Sequence, residues 1–254
     1  MVLAEPVTYS WRVREKELGM SFTEGLLVKA DPYLGEQMRT PFVRGMIDGT
    51  LEPERLQYWV RVDYPYLINF SRILAMAVLR APDLEKMRTI QGYLNYILDE
   101  ELTSHERFAA GAGITVRELE TQRMGPTKYA YAQHEFASAS RGDLAEILTA
   151  IAPCLVGWVI LSKRILSEHT IAEGNPYKWW FDLYGNDVGL DNHVTALLAI
   201  IDELAAAMPQ ERRDRLEEIF LTSEYFETVA WQAYYSMEEW PDADEAASGA
   251  RQHP

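Results

Sequence analysis

Cysteine is almost absent. Among 254 residues there is a single one, Cys154, which excludes an internal disulfide and any cysteine-rich metal centre. Positive charge is scarce as well: Lys and Arg total 24 against 39 Asp and Glu, a formal net charge of −15. A surface that acidic repels phosphate backbones and anionic lipid, so neither nucleic acid nor a membrane surface is an expected partner. No stretch rich in Pro, Gly or Ser divides the chain, and it carries no internal repeat, P-loop or dinucleotide fingerprint. No nucleophile-elbow motif points to a Ser-His-Asp arrangement. The opening MVLAEPVTYSWRVREKE has no basic start leading into an apolar core, so no signal peptide is expected. The longest apolar stretch, Ile147 to Leu161, is interrupted by Thr149, Pro153 and Gly157 and falls short of the about 20 residues that span a bilayer. A cytoplasmic location is the resulting expectation.

What is present is a large apolar fraction, 48%, with 11% aromatics, ample for a packed core. Strand-like alternation is hard to find, and between the spaced glycines and prolines the apolar residues follow the helical period. The pattern predicts helices near 16–31, 35–48, 53–80, 83–112, 127–141, 143–168, 176–185, 189–207 and 209–238. Pro53 and Glu54 mark one first turn, Asp83 starts the next segment, and Asn175-Pro176 pairs an N-cap with a proline at the first helical position. The expected architecture is all-α: one helical bundle of roughly eight or nine helices over residues 1–240. Residues 1–30 form an N-terminal extension packed on it, and an acidic, disordered tail covers 241–254.

Three residues sit where packing alone gives no reason for them. Asp63 lies in YWVRVDYPYLINF with Trp59, Tyr66, Leu67 and Phe70 at helical spacing, so its carboxylate points into the bundle, where an ionised group needs a partner. Either a backbone or tyrosine donor satisfies it, or it binds a polar ligand. Pro65 should kink the helix beside it. Cys154, in EILTAIAPCLVGWVIL, follows Pro153, which frees the carbonyl of Thr149, and precedes Gly157, which permits close approach of a backbone or ligand. A lone cysteine on such a face is ordinarily a small core residue. No Lys, Arg or His lies within one turn, so a base that activates it as a nucleophile must come from another helix. Glu227 has Trp231, Tyr234 and Phe220 on its face, a setting that raises a carboxyl pKa and suits proton transfer, unless the head group reaches solvent. Glu101 and His105, four apart, could share a metal, but His134 and His193 lack a second such pair, so no metal is expected and His105 reads as an inter-helix hydrogen-bonding residue.

Read in order, these segments resemble the TenA-like thiaminase II family. PFVRGMIDGTLEPERLQYWVRVDYPYLINF is similar to that family's "HPF-x-x-G-x-x-DGTL" start and its D-x-x-YL helix, and GPTKYAYAQH to its "PT-x-x-YT-x-H" segment. EILTAIAPCLVGW is similar to "E-x-LAALLPC-x-W", NPYKWWFDLYGND to "P-x-x-x-WI-x-TY", and FLTSEYFETVAWQAYYSMEEW to the terminal "F-x-x-SS-x-YE-x-x-FW-x-MAY" helix. The five blocks span about residues 40 to 240. The resemblance implies a haem-oxygenase-like helical fold without haem, a homotetramer, no cofactor, and hydrolysis of aminomethylpyrimidine or thiamin to hydroxymethylpyrimidine in thiamin salvage. It implies Cys154 as nucleophile and Glu227 as the proton-passing contact to the ring nitrogen and exocyclic amine. Asp63 would bind the opposite edge of the ring, Tyr66 would line the pocket, and Tyr131 and Tyr184 would hydrogen-bond near the thiol and the glutamate. Trp158 would join the substrate pocket.

Two positions depart from the family pattern. Trp158 replaces a tyrosine common four residues after the cysteine, and Ala230 replaces the aromatic that packs the pyrimidine. The expectation is that the indole at 158 fills part of the space vacated at 230, altering the pocket without abolishing it. Rival readings are a cofactorless oxidase or di-iron oxygenase on the same fold, a relative acting on another heterocycle, and a non-catalytic pyrimidine-binding or regulatory protein.

Overall fold

The computed structural model describes residues 19–241. The acidic tail after 241 and residues 1–18 of the expected extension lie outside the described residues. All regular structure among the described residues is helical: α1 Phe22–Arg39, α2 Pro41–Asp48, α3 Pro53–Arg80, α4 Leu84–Tyr96, a π turn Ile97–Glu101, α5 Leu102–Gly111, α6 Val116–Thr121, α7 Pro126–Arg141, α8 Leu144–Glu168, α9 Lys178–Asn186, α10 Val188–Ala206 and α11 Gln210–Ser236.

The first boundary differs from expectation. Separate helices were expected over 16–31 and 35–48, yet α1 runs through Pro32 and Gly35 and is capped at Thr40. The break falls there because one side chain serves both ends: Thr40 Oγ1 donates to the Gln37 carbonyl at 2.7 Å and accepts the Val43 N–H at 3.4 Å. Pro41 then fixes the first residue of α2 and holds Thr40 extended. Thr40→Ala is therefore expected to lower stability by about 1 kcal/mol, read as a drop in the denaturant midpoint at unchanged slope. Phe22, Leu26 and Ala30 are buried, so the described part of the expected extension belongs to the core.

Three further differences have local causes. The segment 83–112 is one rod, but a π turn interrupts it at Ile97–Glu101, where the Leu102 N–H bonds the Ile97 carbonyl. α6 was not expected; its start is a capping box in which Thr115 accepts the Glu118 N–H and Glu118 accepts the Thr115 N–H. Asn175 does not cap the helix after it, which starts at Lys178. Its side-chain amide instead donates to the Met46 and Ile47 carbonyls at 2.9 Å each, tying the loop to α2.

α8 is the axis of the bundle, packed by α1, α3, α7, α9, α10 and α11. Its 25 residues make it long and apolar enough to cross a membrane, which the interrupted run of the sequence had not suggested. However, 83% of its most apolar window is buried inside the bundle, and that burial accounts for its hydropathy. The helix continues through Pro153, and one turn ahead Ser223 of α11 donates to the Ala150 carbonyl at 2.7 Å. No backbone approaches Gly157: a Cβ there would meet nothing within 4 Å.

Candidate active site

At the centre of the bundle α3, α4, α8, α9, α10 and the π turn enclose a narrow cavity. Asp63, Leu67 and Phe70 come from α3, Tyr93 from α4, and Ile97 and Glu101 from the π turn. Cys154, Leu155 and Trp158 come from α8, Tyr184 from α9 and Leu190 from α10. Water has access to about 10 Å³ of it, room for roughly one molecule. Cys154 is half-buried on a helix whose core face is otherwise closed, so the cavity is where its thiol is reached.

The charges are arranged around Asp63. Its Oδ2 accepts His105 Nε2 at 3.0 Å and its Oδ1 lies 3.0 Å from Lys128 Nζ, with all three side chains buried. The other nitrogen of His105, Nδ1, faces the Glu101 carbonyl at 3.0 Å. Both partners of the ring accept only, so His105 carries a proton on each nitrogen and is an imidazolium, with neither nitrogen left for a metal. Burial acts against ionisation of Asp63, but Lys128 and His105 outweigh it and hold the carboxyl below its usual range. Burial likewise opposes the charge of Lys128, and Asp63 more than restores it. Two cations thus share one firmly ionised carboxylate, leaving one positive charge in the site for a nearby anion.

Candidates for that anion surround it. Burial pushes the Cys154 thiol well above its usual range, and Glu227 adds to this, whereas Lys128 draws it down. Lys128 is a cation from another helix whose charge acts on the thiol, which the sequence around Cys154 does not supply. Glu227 is buried; its Oε2 accepts Trp158 Nε1 at 3.1 Å, and its Oε1 has no hydrogen-bond partner. Burial raises its pKa, with Lys128 and Trp158 opposing. Glu135, on α7 one turn after Tyr131, accepts the Tyr66 hydroxyl at 2.9 Å and leaves Oε2 unpartnered. Burial raises its pKa strongly as well.

The residues singled out from sequence fall into two groups. Asp63, Cys154, Trp158 and Tyr184 wall the cavity. Glu227, Tyr66 and Tyr131 are not among the lining residues, although the Tyr66 hydroxyl also acts on the Cys154 thiol through a hydrogen bond. Glu227 accepts the Trp158 indole N–H, and the Tyr66 hydroxyl is drawn to Glu135 while its ring lies 3.5 Å under Lys128 Nζ. Tyr131 stacks on Tyr66 at 5.6 Å with a buried hydroxyl that has no partner, and Glu227 and Glu135 are among its charged neighbours. Tyr184 donates to Glu101 Oε1 at 3.0 Å and not to Glu227. Ala230 is buried beside Trp231, whose ring is 4.9 Å from that of Trp158. Trp158→Phe would strip Glu227 of its donor; the expected cost is about 1–3 kcal/mol in chemical denaturation, and an unchanged midpoint would show the bond to be absent in solution.

Sequence reasoning missed Lys128 and Glu135 and read Glu101 only as a possible metal ligand. Glu135 had a visible signal, its four-residue spacing from Tyr131. Lys128, in the first turn of α7, looks like an ordinary solvated lysine.

A family model described as TENA/THI-4/PQQC matches residues 28–237. An aminopyrimidine aminohydrolase of Halalkalibacterium halodurans is 30% identical over 221 residues, covering 87% of this chain and 98% of the relative. Among solved structures, a TenA family transcription regulator from Silicibacter sp. TM1040 superposes with a TM-score of 0.76 at 27% identity, covering 85% of this chain and 96% of the other. A domain of unknown function with a heme oxygenase-like fold from Shewanella denitrificans reaches a TM-score of 0.63 at 14% identity, covering 91% and 96%. The expected haem-oxygenase-like helical fold is therefore the observed one.

Proposed function

From the premise that this chain belongs to the TENA/THI-4/PQQC family, we propose that it hydrolyses aminomethylpyrimidine, thiamin or both to hydroxymethylpyrimidine, with Cys154 as nucleophile. It is an enzyme of the thiaminase II type, as its relatives named aminopyrimidine aminohydrolase support. The observation that carries the reading is the meeting of Cys154 and Asp63 at one narrow cavity, with Lys128 Nζ 3.0 Å from the Asp63 carboxylate.

Glu227, a carboxylic acid of raised pKa, protonates the ring nitrogen and makes the aminopyrimidine electrophilic. The thiol adds to the ring through sulfur and gives its proton to the Glu227 carboxylate, so charge is not left in the cavity. The side-chain substituent then departs with the bonding electrons and takes up a proton, water adds its oxygen at the vacated carbon and releases a proton in exchange, and sulfur leaves the ring as the ring and thiol protons return. Asp63, held ionised by Lys128 and His105, binds the opposite edge of the ring. Tyr184 and Trp158 form the walls that grip the ring, with Tyr66 and Tyr131 supporting them from behind. Water-sized space alone does not admit a pyrimidine, so entry requires a wall to move. Trp158, which lines the cavity and is stacked on Trp59, is the wall we assign to that movement.

The test is ammonia release from aminomethylpyrimidine and thiazole release from thiamin by the purified protein, with Cys154→Ala alongside. Turnover of neither substrate would overturn the reading. A homotetramer in the cytoplasm completes the proposal; sedimentation measures the first directly.

A further inference from the structure

Glu101 has no part in the steps above, yet it walls the cavity together with Cys154, and Glu227 does not. We propose that Glu101 is a catalytic acid–base residue of this site, protonating the departing amine and then taking a proton from the water that replaces it. The proposal rests on the hydrolase reading and adds a second proton-transfer group to it.

Geometry carries the inference. The π turn, in which the Leu102 N–H reaches back five residues to the Ile97 carbonyl, has Glu101 as its last residue, and both Ile97 and Glu101 face the cavity. Tyr184, itself a cavity wall, donates to Glu101 Oε1 at 3.0 Å, and the Glu101 carbonyl is held by His105 Nδ1 at 3.0 Å. Side chain and backbone are therefore both fixed. The groups facing this carboxyl are Tyr184 from α9, His105 from α5, Asp63 from α3 and Lys128 from α7, with Tyr93 and Tyr96 from α4. α10 contributes the apolar Leu190 to the cavity, and α8 contributes Cys154. Burial and the charge of Asp63 raise the Glu101 pKa, His105, Tyr184 and Lys128 oppose, and the result is about 7. A carboxyl so placed exchanges a proton readily in either direction near neutrality.

The steps balance. With sulfur bound to the ring, the bond from the methylene carbon to the amine breaks and its electrons leave with nitrogen. Glu101 supplies the proton, so ammonia departs and Glu101 becomes a carboxylate. Water then adds its oxygen to the methylene carbon and yields a proton to Glu101. The acid is regenerated, and the net change is amine plus water to alcohol plus ammonia.

The experiment is the pH dependence of kcat and kcat/KM for aminomethylpyrimidine hydrolysis by wild type, Glu101→Gln and Tyr184→Phe. In wild type, kcat/KM should fall as pH rises through about 7, where Glu101 loses the proton the first step needs. Glu101→Gln should lower kcat by about 10²- to 10⁴-fold with KM little changed and abolish that limb. Tyr184→Phe, which removes a donor favouring the carboxylate, should move the limb to higher pH. A folding check comes from stability. The native carboxyl keeps a proton that the unfolded chain gives up near 4.5, so wild-type stability falls as pH rises from 4.5 toward 7, and Glu101→Gln should flatten that slope. Glu101→Gln with wild-type kcat and an unmoved limb would overturn the role while leaving the hydrolase reading intact. Absence of turnover in wild type at every pH would overturn that reading and the role with it.

Discussion

Cys154→Ala is expected to lower kcat for aminopyrimidine hydrolysis on the order of 10⁴-fold while leaving helix content and the unfolding midpoint nearly unchanged. The two halves of this expectation have separate causes. The sulfur makes no disulfide, and the residue is half-buried at the edge of a cavity, so its loss removes little packing. What disappears is the thiol, the softest nucleophile on the cavity wall for an electron-poor ring carbon. Serine in its place keeps the size but not the chemistry, because a hydroxyl in so buried a position is far harder to ionise than a thiol. Lys128 acts on this point from a neighbouring helix. It is the cation that draws the thiol down against burial and the charge of Glu227. Measured rates for both variants within tenfold of wild type would remove Cys154 from the mechanism.

Asp63→Ala should be the most destabilising single substitution at the site, costing about 3–5 kcal/mol in chemical denaturation. It leaves Lys128 and His105, both buried and both charged, with no carboxylate between them. Removing one partner of a buried pair is costly, whereas removing the charges together is much less so. The double variant Asp63→Asn with Lys128→Met should therefore recover part of the stability lost by Asp63→Ala, without activity. The pH dependence has a definite sign. Asp63 is held below its ordinary 3.8, so its contribution is complete above that value and is lost as pH falls through the native pKa. His105 is held above its ordinary 6.5, so its contribution is complete below 6.5 and fades as pH rises past the native pKa. A cost below about 1 kcal/mol for Asp63→Ala, the range of an exposed pair, would mean that the charges are not paired in solution.

How much of this was readable follows the physics of each feature. Asp63, Cys154 and Glu227 were found from sequence because each sits among apolar neighbours three, four and seven residues away. A polar group in such a row has to be explained. Glu135 obeyed the same rule relative to Tyr131 and was readable in principle, as was α6, whose Thr115 and Glu118 spell a capping box. The α1–α2 boundary was misplaced because two prolines compete for it. Only the structure shows that Thr40 has the partners to close one helix and open the next. Lys128 left no trace in sequence, since a lysine in a first helical turn ordinarily points to water and its burial depends on a carboxylate from α3.

The sequence by itself determined the helical class, the order of the main helices and which three side chains were too polar for their faces, because period and burial of one face are local properties. Tertiary structure alone decided which of them share a cavity, that Asp63 is clamped by two cations, that Tyr184 serves Glu101, and that Trp158 donates to Glu227. Each of these depends on where separate helices cross, and hydrogen bonds and charge pairs of about 3 Å are set by that crossing and not by spacing along the chain.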